Sequence, residues 1–309
     1  MASIENVTRF PASTTAPARS RPVSRSFLLR PAIIYLIVMT QIPVLFTLVY
    51  SVTNWNLLRP DKTRFVGLDN YVYFLQDSDT GAILLNTVAF VSCVIGFSLF
   101  FGMAFALLLN RQFRGRGIAR TLMITPMLIM PTVSAVMWKN MMFNPSFGLI
   151  PELLAALGLP RTDLLNAYPM LALVVIVTWE WTPFMMLILL AGLQSVEQEW
   201  IEAAQLDGAG RIDMFTSLIL PHLSRYIEIA VLLETLFVLN IFGEIFITTT
   251  GGPGIATTTL TFNIFLEAFS RWNIGRASAY GVFAVIVANV VTLLYIRILR
   301  SNRENKAAV

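Results

Sequence analysis

The chain has 309 residues, 56% hydrophobic and 13% charged, against about 25% charged in a soluble domain, and its mean hydropathy is +0.69. These values exclude an ordinary soluble domain and predict an all-α integral membrane protein. The net charge of +4 does not mark a nucleic-acid surface, because the arginines gather at the ends of apolar runs; one cysteine and one histidine exclude an intrachain disulfide and cysteine- or histidine-rich metal sites.

Residues 1–26 are rich in Ser, Thr, Pro, Ala and Arg and read as a flexible cytoplasmic tail. The apolar run that follows is long and has no obvious A-x-A site, which argues against a cleaved signal peptide. Pro31 to Leu58 carry no charge, enough for a first span of about 20 residues, with a kink expected at Pro43. Residues 59–79 form a mixed-charge, aromatic external segment containing FVGLDNY at 65–71, which as an isolated pattern suits an amphipathic interfacial helix. Thr80–Asn110 supplies the second span, with Cys93 in its middle as an inert packing residue. Arg111, Arg114, Arg116 and Arg120 then mark a short cytoplasmic turn.

The third span is expected over Thr121–Met142, distorted by Pro126 and Pro131. Residues 144–168 return outside and include an amphipathic piece, Ile150–Leu157. The fourth, fifth and sixth spans are placed at Met170–Leu190, Tyr226–Ile247 and Ala277–Ile296. His222 falls at a membrane boundary as an interfacial polar residue. The transmembrane body is thus 27–300, with a cytoplasmic loop at about 195–221 and a C-terminal cytoplasmic tail at 301–309. Of the 22 Lys and Arg, 15 lie in residues 1–30, the second loop, the loop before the fifth span and the C-terminal end. By the positive-inside rule those segments are cytoplasmic.

The most specific stretch is Ile201–Pro221, IEAAQLDGAGRIDMFTSLILP. Small alanines let a short helix lie close against another protein, and Gly208 permits the positive φ that ends such a helix. A second short helix, about Arg211–Leu218, would lead to Pro221, which suits the first turn of the next helix. Glu202, Ala203, Ala204, Gly208, Leu220 and Pro221 match in register the EAA loop of ABC importer permeases, EAA-x3-G-x9-I-x-LP, with Leu218 in place of the isoleucine. A chance alanine-rich surface helix would produce the six matches on the order of 10⁻⁴ times per chain of this size or less. The resemblance implies a type I importer permease fold, in which this segment, with Asp207 in it, is a coupling helix docking on an ATP-hydrolysing subunit.

Other segments extend the likeness over about 27–300. Phe65, Gly67, Leu68, Asn70 and Tyr71 resemble the F-x-G-L-x-N-Y/F stretch of sugar-type ABC permeases. Thr250-Gly-Gly-Pro-Gly254, followed by TTTL and ASAYG, resembles the T-x-GGP turn of carbohydrate-uptake permeases. The Trp179–Phe184 stretch, WEWTPF, resembles the sugar-lining turn of maltose-type permeases. That implies a path through Glu180, Trp181 and Phe184, with a different substrate or mode of holding, because Glu and Trp stand where those permeases have smaller, less polar residues.

An ionisable side chain within the bilayer is a functional candidate by default. Glu180 sits at the centre of the fourth span beside tryptophans and Pro183, a combination that can stack and hydrogen-bond a sugar ring; packing against neighbouring helices is the plainer reading. Glu234 and Asn240 in the fifth span and Asn289 in the sixth are further candidates. Glu228 reads as interfacial, and Asn240 and Glu244, four apart, are expected on one helical face.

The function implied is the permease subunit of an ATP-driven importer for a sugar, polyol or glycoside in the bacterial inner membrane. Its expected partners are a pair of ATP-binding subunits, a second homologous permease and an extracytoplasmic solute-binding protein. Lys62, Lys139 and Lys306 are the lysines, and none stands in a GxxxxGK[ST] context. ATP and Mg would therefore belong to the partner ATPase, and the chain is expected to be no enzyme. The alternatives are an ABC permease for a non-carbohydrate solute and a proton-coupled secondary transporter. The latter predicts internal inverted repeats, which the sequence does not display.

Overall fold

Ser51 ends a long first helix, and almost everything beyond it is helical. The computed structural model describes residues 25–307, which divide into two units between Phe46 and Thr47. The first unit is most of α1 (Arg25–Ser51), which runs on through Pro31 and Pro43. Its Leu29–Ser51 stretch has a mean hydropathy of 2.3. The tail expected at 1–26 lies outside the described residues except for Arg25 and Ser26, which begin α1.

The second unit contains, after the last turn of α1, α2 (Asp69–Gln76), α3 (Thr80–Asn110), α4 (Arg116–Leu128), α5 (Pro131–Met137), α6 (Leu149–Ala156) and α7 (Leu164–Ala167). These are followed by α8 (Pro169–Gln194), α9 (Gln198–Leu206), α10 (Arg211–Met214), α11 (Leu220–Val238), α12 (Gly243–Thr248), α13 (Leu260–Phe265) and α14 (Ile274–Ala307). Wider, π-helical turns continue α5 over Trp138–Met142, join α10 to α11 over Phe215–Ile219, and follow α13 over Leu266–Ser270. Among the described residues the only β pairing is two isolated bridges, Thr53–Phe65 and Asn56–Asn273. A bilayer offers no water to unpaired backbone groups, so spanning segments satisfy them within helices.

Among the described residues five helices are long and apolar enough to cross a membrane, and α4 with α5 makes a sixth if the bent pair is one span. That pair is bent by 98°, so the single third span expected over Thr121–Met142 is broken. Ile129 and Met130 are extended just before Pro131, whose ring disfavours helical backbone in the residue preceding it. The fifth span is also displaced: it covers Arg211–Val238 rather than Tyr226–Ile247. Its end is set by Thr261 of α13, whose hydroxyl donates to the Leu239 carbonyl at 2.6 Å, and by Phe242 turning into contact with Phe246, Phe262 and Phe265. The last helix begins at Ile274 and continues to Ala307, past the Ala277–Ile296 expected.

α3 and α8 run side by side in the same direction. Phe90, Val91 and Val94 meet Leu173, Val174 and Val177 near their starts, and Ala106 and Leu109 meet Met185, Leu189, Leu190 and Leu193 near their ends. The loops at 52–68, 144–163 and 249–259 lie at one end of this unit, and the 195–210 loop lies at the other. At the first end the FVGLDNY stretch is a structural clamp rather than only a surface helix: buried Asn70 and half-buried Tyr71 bond to the end of α1. The TGGPG turn is closed by its threonines, with the Thr258 hydroxyl donating to the Gly251 carbonyl at 3.1 Å and Asn86 of α3 donating to the Ile255 carbonyl at 2.8 Å.

Candidate functional site

The 195–210 loop presents α9 to solvent. Glu202 and Ala203 are exposed, Ala204 is half-buried, and Asp207 ends the helix. Gly208 follows at φ +82°. Its amide donates to the Gln205 carbonyl at 3.1 Å, and the Ala209 amide donates to the Ala204 carbonyl at 3.0 Å. This paired 5→2 and 6→1 arrangement is a Schellman closure, which needs a left-handed residue where glycine stands. The Gly210 amide then donates to Asp213 Oδ2 at 3.2 Å, starting α10. Around the turn Leu206 is 90% and Ile212 78% exposed, with Trp200 also exposed. The result is a rigid helix–turn–helix carrying apolar tips.

The second short helix expected at about Arg211–Leu218 is helical and leads without a break through Pro221 into the fifth span. Pro221 lacks the amide hydrogen that an α-helix would direct back along the chain, and the wider turn over Phe215–Ile219 carries the helix past it. Leu220 is exposed and Leu218 half-buried. The base of the loop is tied by His222, whose Nε2 lies 2.9 Å from Ser195 Oγ, itself 2.8 Å from the Tyr226 hydroxyl. This tie joins the end of α8 to the start of α11 at the base of the loop that carries α9.

Within the membrane the candidates separate into groups. Glu180 is 6% exposed and faces Ser134 of α5 and Glu244 of α12. Its Oε1 and the Ser134 hydroxyl make no hydrogen bond among the described residues. Trp181 and Phe184 point elsewhere: Trp181 stacks on Phe237 of α11 at 5.1 Å between centroids, with Phe184 edge-on at 5.7 Å. The predicted trio is thus divided between a polar cluster and an aromatic one. Glu234 is wholly buried beside Ser98 of α3, and among the described residues neither carboxylate oxygen has a hydrogen bond.

Asn240 and Glu244 do not share a helical face, because the chain breaks between α11 and α12. Asn240 caps α11 by donating to the Leu236 carbonyl at 2.7 Å. Asn289 donates to the Val285 carbonyl of its own helix at 2.8 Å, and both asparagines line a groove of about 650 Å³ with Thr235 and Thr292. Cys93 is exposed, facing out of the bundle beside Phe97 and Phe100 rather than packing inside it. Sequence reasoning passed over Ser134 because a serine in an apolar run carries no distinguishing signal. Glu244 was visible but was assigned to the wrong element.

The helix count, the broken third span and the exposed helix–turn–helix define a multi-pass membrane transport subunit. The chain belongs to the family described as binding-protein-dependent transport system inner membrane component, whose profile matches residues 98–304. It is therefore an ABC importer permease. It is 36% identical over 279 residues to a probable ABC transporter permease protein of Sinorhizobium fredii, covering 89% of this chain and 90% of that protein. It is 33% identical over 279 residues to the trehalose/maltose transport system permease protein of Thermococcus litoralis, covering 89% and 92%. A chain in the crystal structure of a bacterial alginate ABC transporter superposes with a TM-score of 0.76 at 21% identity, covering 90% of this chain and 94% of that one. That likeness carries the fold.

Proposed function

We propose that this permease imports a sugar or polyol across the bacterial inner membrane, with both termini and the α9 loop in the cytoplasm. The observation that carries the coupling half of this reading is the Schellman-closed helix at Gln198–Leu206 with Leu206 and Ile212 exposed beyond it. Large apolar residues on a loop tip are costly in water and are suited to insertion into a cleft of another protein. An ATPase dimer binding ATP and Mg would draw α9 with it, and the Ser195–His222–Tyr226 tie would carry the movement into α8 and α11. A second permease and an extracytoplasmic binding protein complete the assembly.

The carbohydrate half is supported by the trehalose/maltose relative and by the polar cluster at Glu180. A carboxyl beside a hydroxyl and a second carboxyl offers both acceptors and donors to sugar hydroxyls. The test is reconstitution of the chain with its ATPase, partner permease and binding protein in proteoliposomes, followed by uptake of radiolabelled trehalose, maltose and sorbitol with and without ATP. ATP-dependent accumulation of any of them supports the reading. Uptake of amino acids or peptides only, or proton-driven uptake without ATP, overturns it.

A further inference from the structure

At the end of the bundle opposite α9, a polar cavity of about 400 Å³ opens between the outer ends of α5 and α12. Its walls include Lys139, Asn140, Asp163, Asn166, Thr248 and Thr249. The volume lies in the lower part of the ~300–1,000 Å³ range of small-molecule sites. We propose that this cavity is an outer holding site for a neutral polyhydroxylated solute, a sugar unit or polyol, on its way to the Glu180 cluster. The proposal rests on the importer reading above and names a place where the solute pauses.

Two features carry it. The first is chemical balance: with Asn144 also in the wall, one ammonium, one carboxylate, three carboxamides and two hydroxyls mix donors and acceptors and leave no net charge, as suits the hydroxyls of a neutral sugar. The Lys139 ammonium donates to the Ile247 carbonyl at 2.8 Å, which bridges α5 to α12 and leaves its other hydrogens for a ligand. No carboxylate lies within ion-pair distance of it among the described residues. Asp163 orients Asn166, accepting from its amide nitrogen at 2.6 Å.

The second feature is continuity. Lys139 follows Ser134 on one helical run, and Thr248 lies one turn beyond Glu244 on α12, its hydroxyl donating to the Glu244 carbonyl at 2.5 Å. The same two elements that bring Ser134 and Glu244 to Glu180 thus carry the cavity walls at their outer ends. Polar groups follow the α5–α12 seam inward from the surface. On these short elements, flanked by apolar helices, the seam offers a solute hydrogen-bonding partners from the cavity to the Glu180 cluster.

The test uses the assembled complex in nanodiscs, in a Cys93→Ser background, with single reporters Asn140→Cys and Asn166→Cys and a control Asp61→Cys outside the cavity. The rate of labelling by a membrane-impermeant maleimide is measured with trehalose, maltose, sorbitol or glycerol 3-phosphate. At least one neutral solute is expected to slow labelling threefold or more at either cavity reporter and leave the control unchanged. No protection by any neutral solute, or equal protection by glycerol 3-phosphate, overturns the proposal. Uptake in parallel separates the two readings. In the transported sugar's assay Asn140→Ala should raise KM ~2–10-fold, the scale of one neutral hydrogen bond. Protection without ATP-driven uptake sinks the importer reading and leaves the site standing. Uptake with no protection and an unchanged KM sinks the site alone.

Discussion

The Asn70 side-chain amide of α2 donates to two backbone carbonyls at the end of α1, Ser51 at 2.8 Å and Thr53 at 2.9 Å. The neighbouring Tyr71 hydroxyl donates to Ser51 Oγ at 2.7 Å. The start of α14 closes over the same point: a Cβ on Gly275 would sit 2.1 Å from the Thr53 carbonyl oxygen. Asn70→Leu should therefore lower stability by about 2–4 kcal/mol, from two lost hydrogen bonds and carbonyls left without partners. Asn70→Asp should do no better, since an ionised carboxylate has no hydrogen to donate. Thermal unfolding in detergent, with proteolysis within residues 52–68, reads both. An unchanged melting temperature in Asn70→Leu would falsify the clamp.

Gly208 supplies the left-handed turn that closes α9, at φ +82° with open space around a would-be Cβ. Gly208→Val meets no clash, and its cost is conformational, about 1–2 kcal/mol. That strain should fray the last turn of α9 and leave the bundle intact. The expected result is a variant that expresses and melts like the wild type but loses co-purification with its ATPase or the coupled hydrolysis. Full association and coupling would remove the Schellman turn from the docking element.

Much of this was legible in the chain. The second and fourth spans are uncharged or nearly so over lengths that only a membrane accommodates, and the EAA register located α9 and Gly208 because a turn of fixed geometry demands fixed residues. What failed did so where the fold is decided by distant contacts. The end of α11 is set by Thr261 and Phe242 reaching partners far along the chain or across a break, and no local pattern at 239–247 reveals it. Hydropathy likewise reads α4 and α5 as one run, since a window average does not register backbone direction at Met130. Trp181 follows Glu180 directly, and successive helical positions turn the two toward different neighbours, which their closeness in sequence does not reveal.

Glu234 offers a contrast with Glu180. Among the described residues both of its carboxylate oxygens are buried and without a hydrogen bond, and Ser98 is its polar neighbour. An amide has nearly the same shape, so Glu234→Gln should hold the melting temperature and keep uptake within about twofold. Glu234→Ala, which leaves a void, should cost about 2–3 kcal/mol, at the lower end for large-to-small core changes. Loss of uptake in a stably folded Glu234→Gln would move this residue from a packing role into the solute path.

Glu180 stands where three elements meet, with Ser134 from the outer half of the broken span and Glu244 from α12. Each of these side chains is more than nine-tenths buried, so a charge-preserving or shape-preserving exchange can be read without exposing new surface. Glu180→Gln keeps the volume and one carbonyl oxygen but replaces the other with a donor, and assembly with the partner subunits should survive. Uptake should fall about two- to tenfold, the scale of one neutral buried hydrogen bond. Ser134→Ala should give a smaller loss in the same direction, and Glu244→Gln a loss comparable with that of Glu180→Gln. Radiolabelled uptake and complex recovery, measured on the same preparations, decide the matter. If correctly assembled Glu180→Gln transports at the wild-type rate, the cluster is a packing feature, and the aromatic group of Trp181, Phe184 and Phe237 becomes the better place to look for the solute.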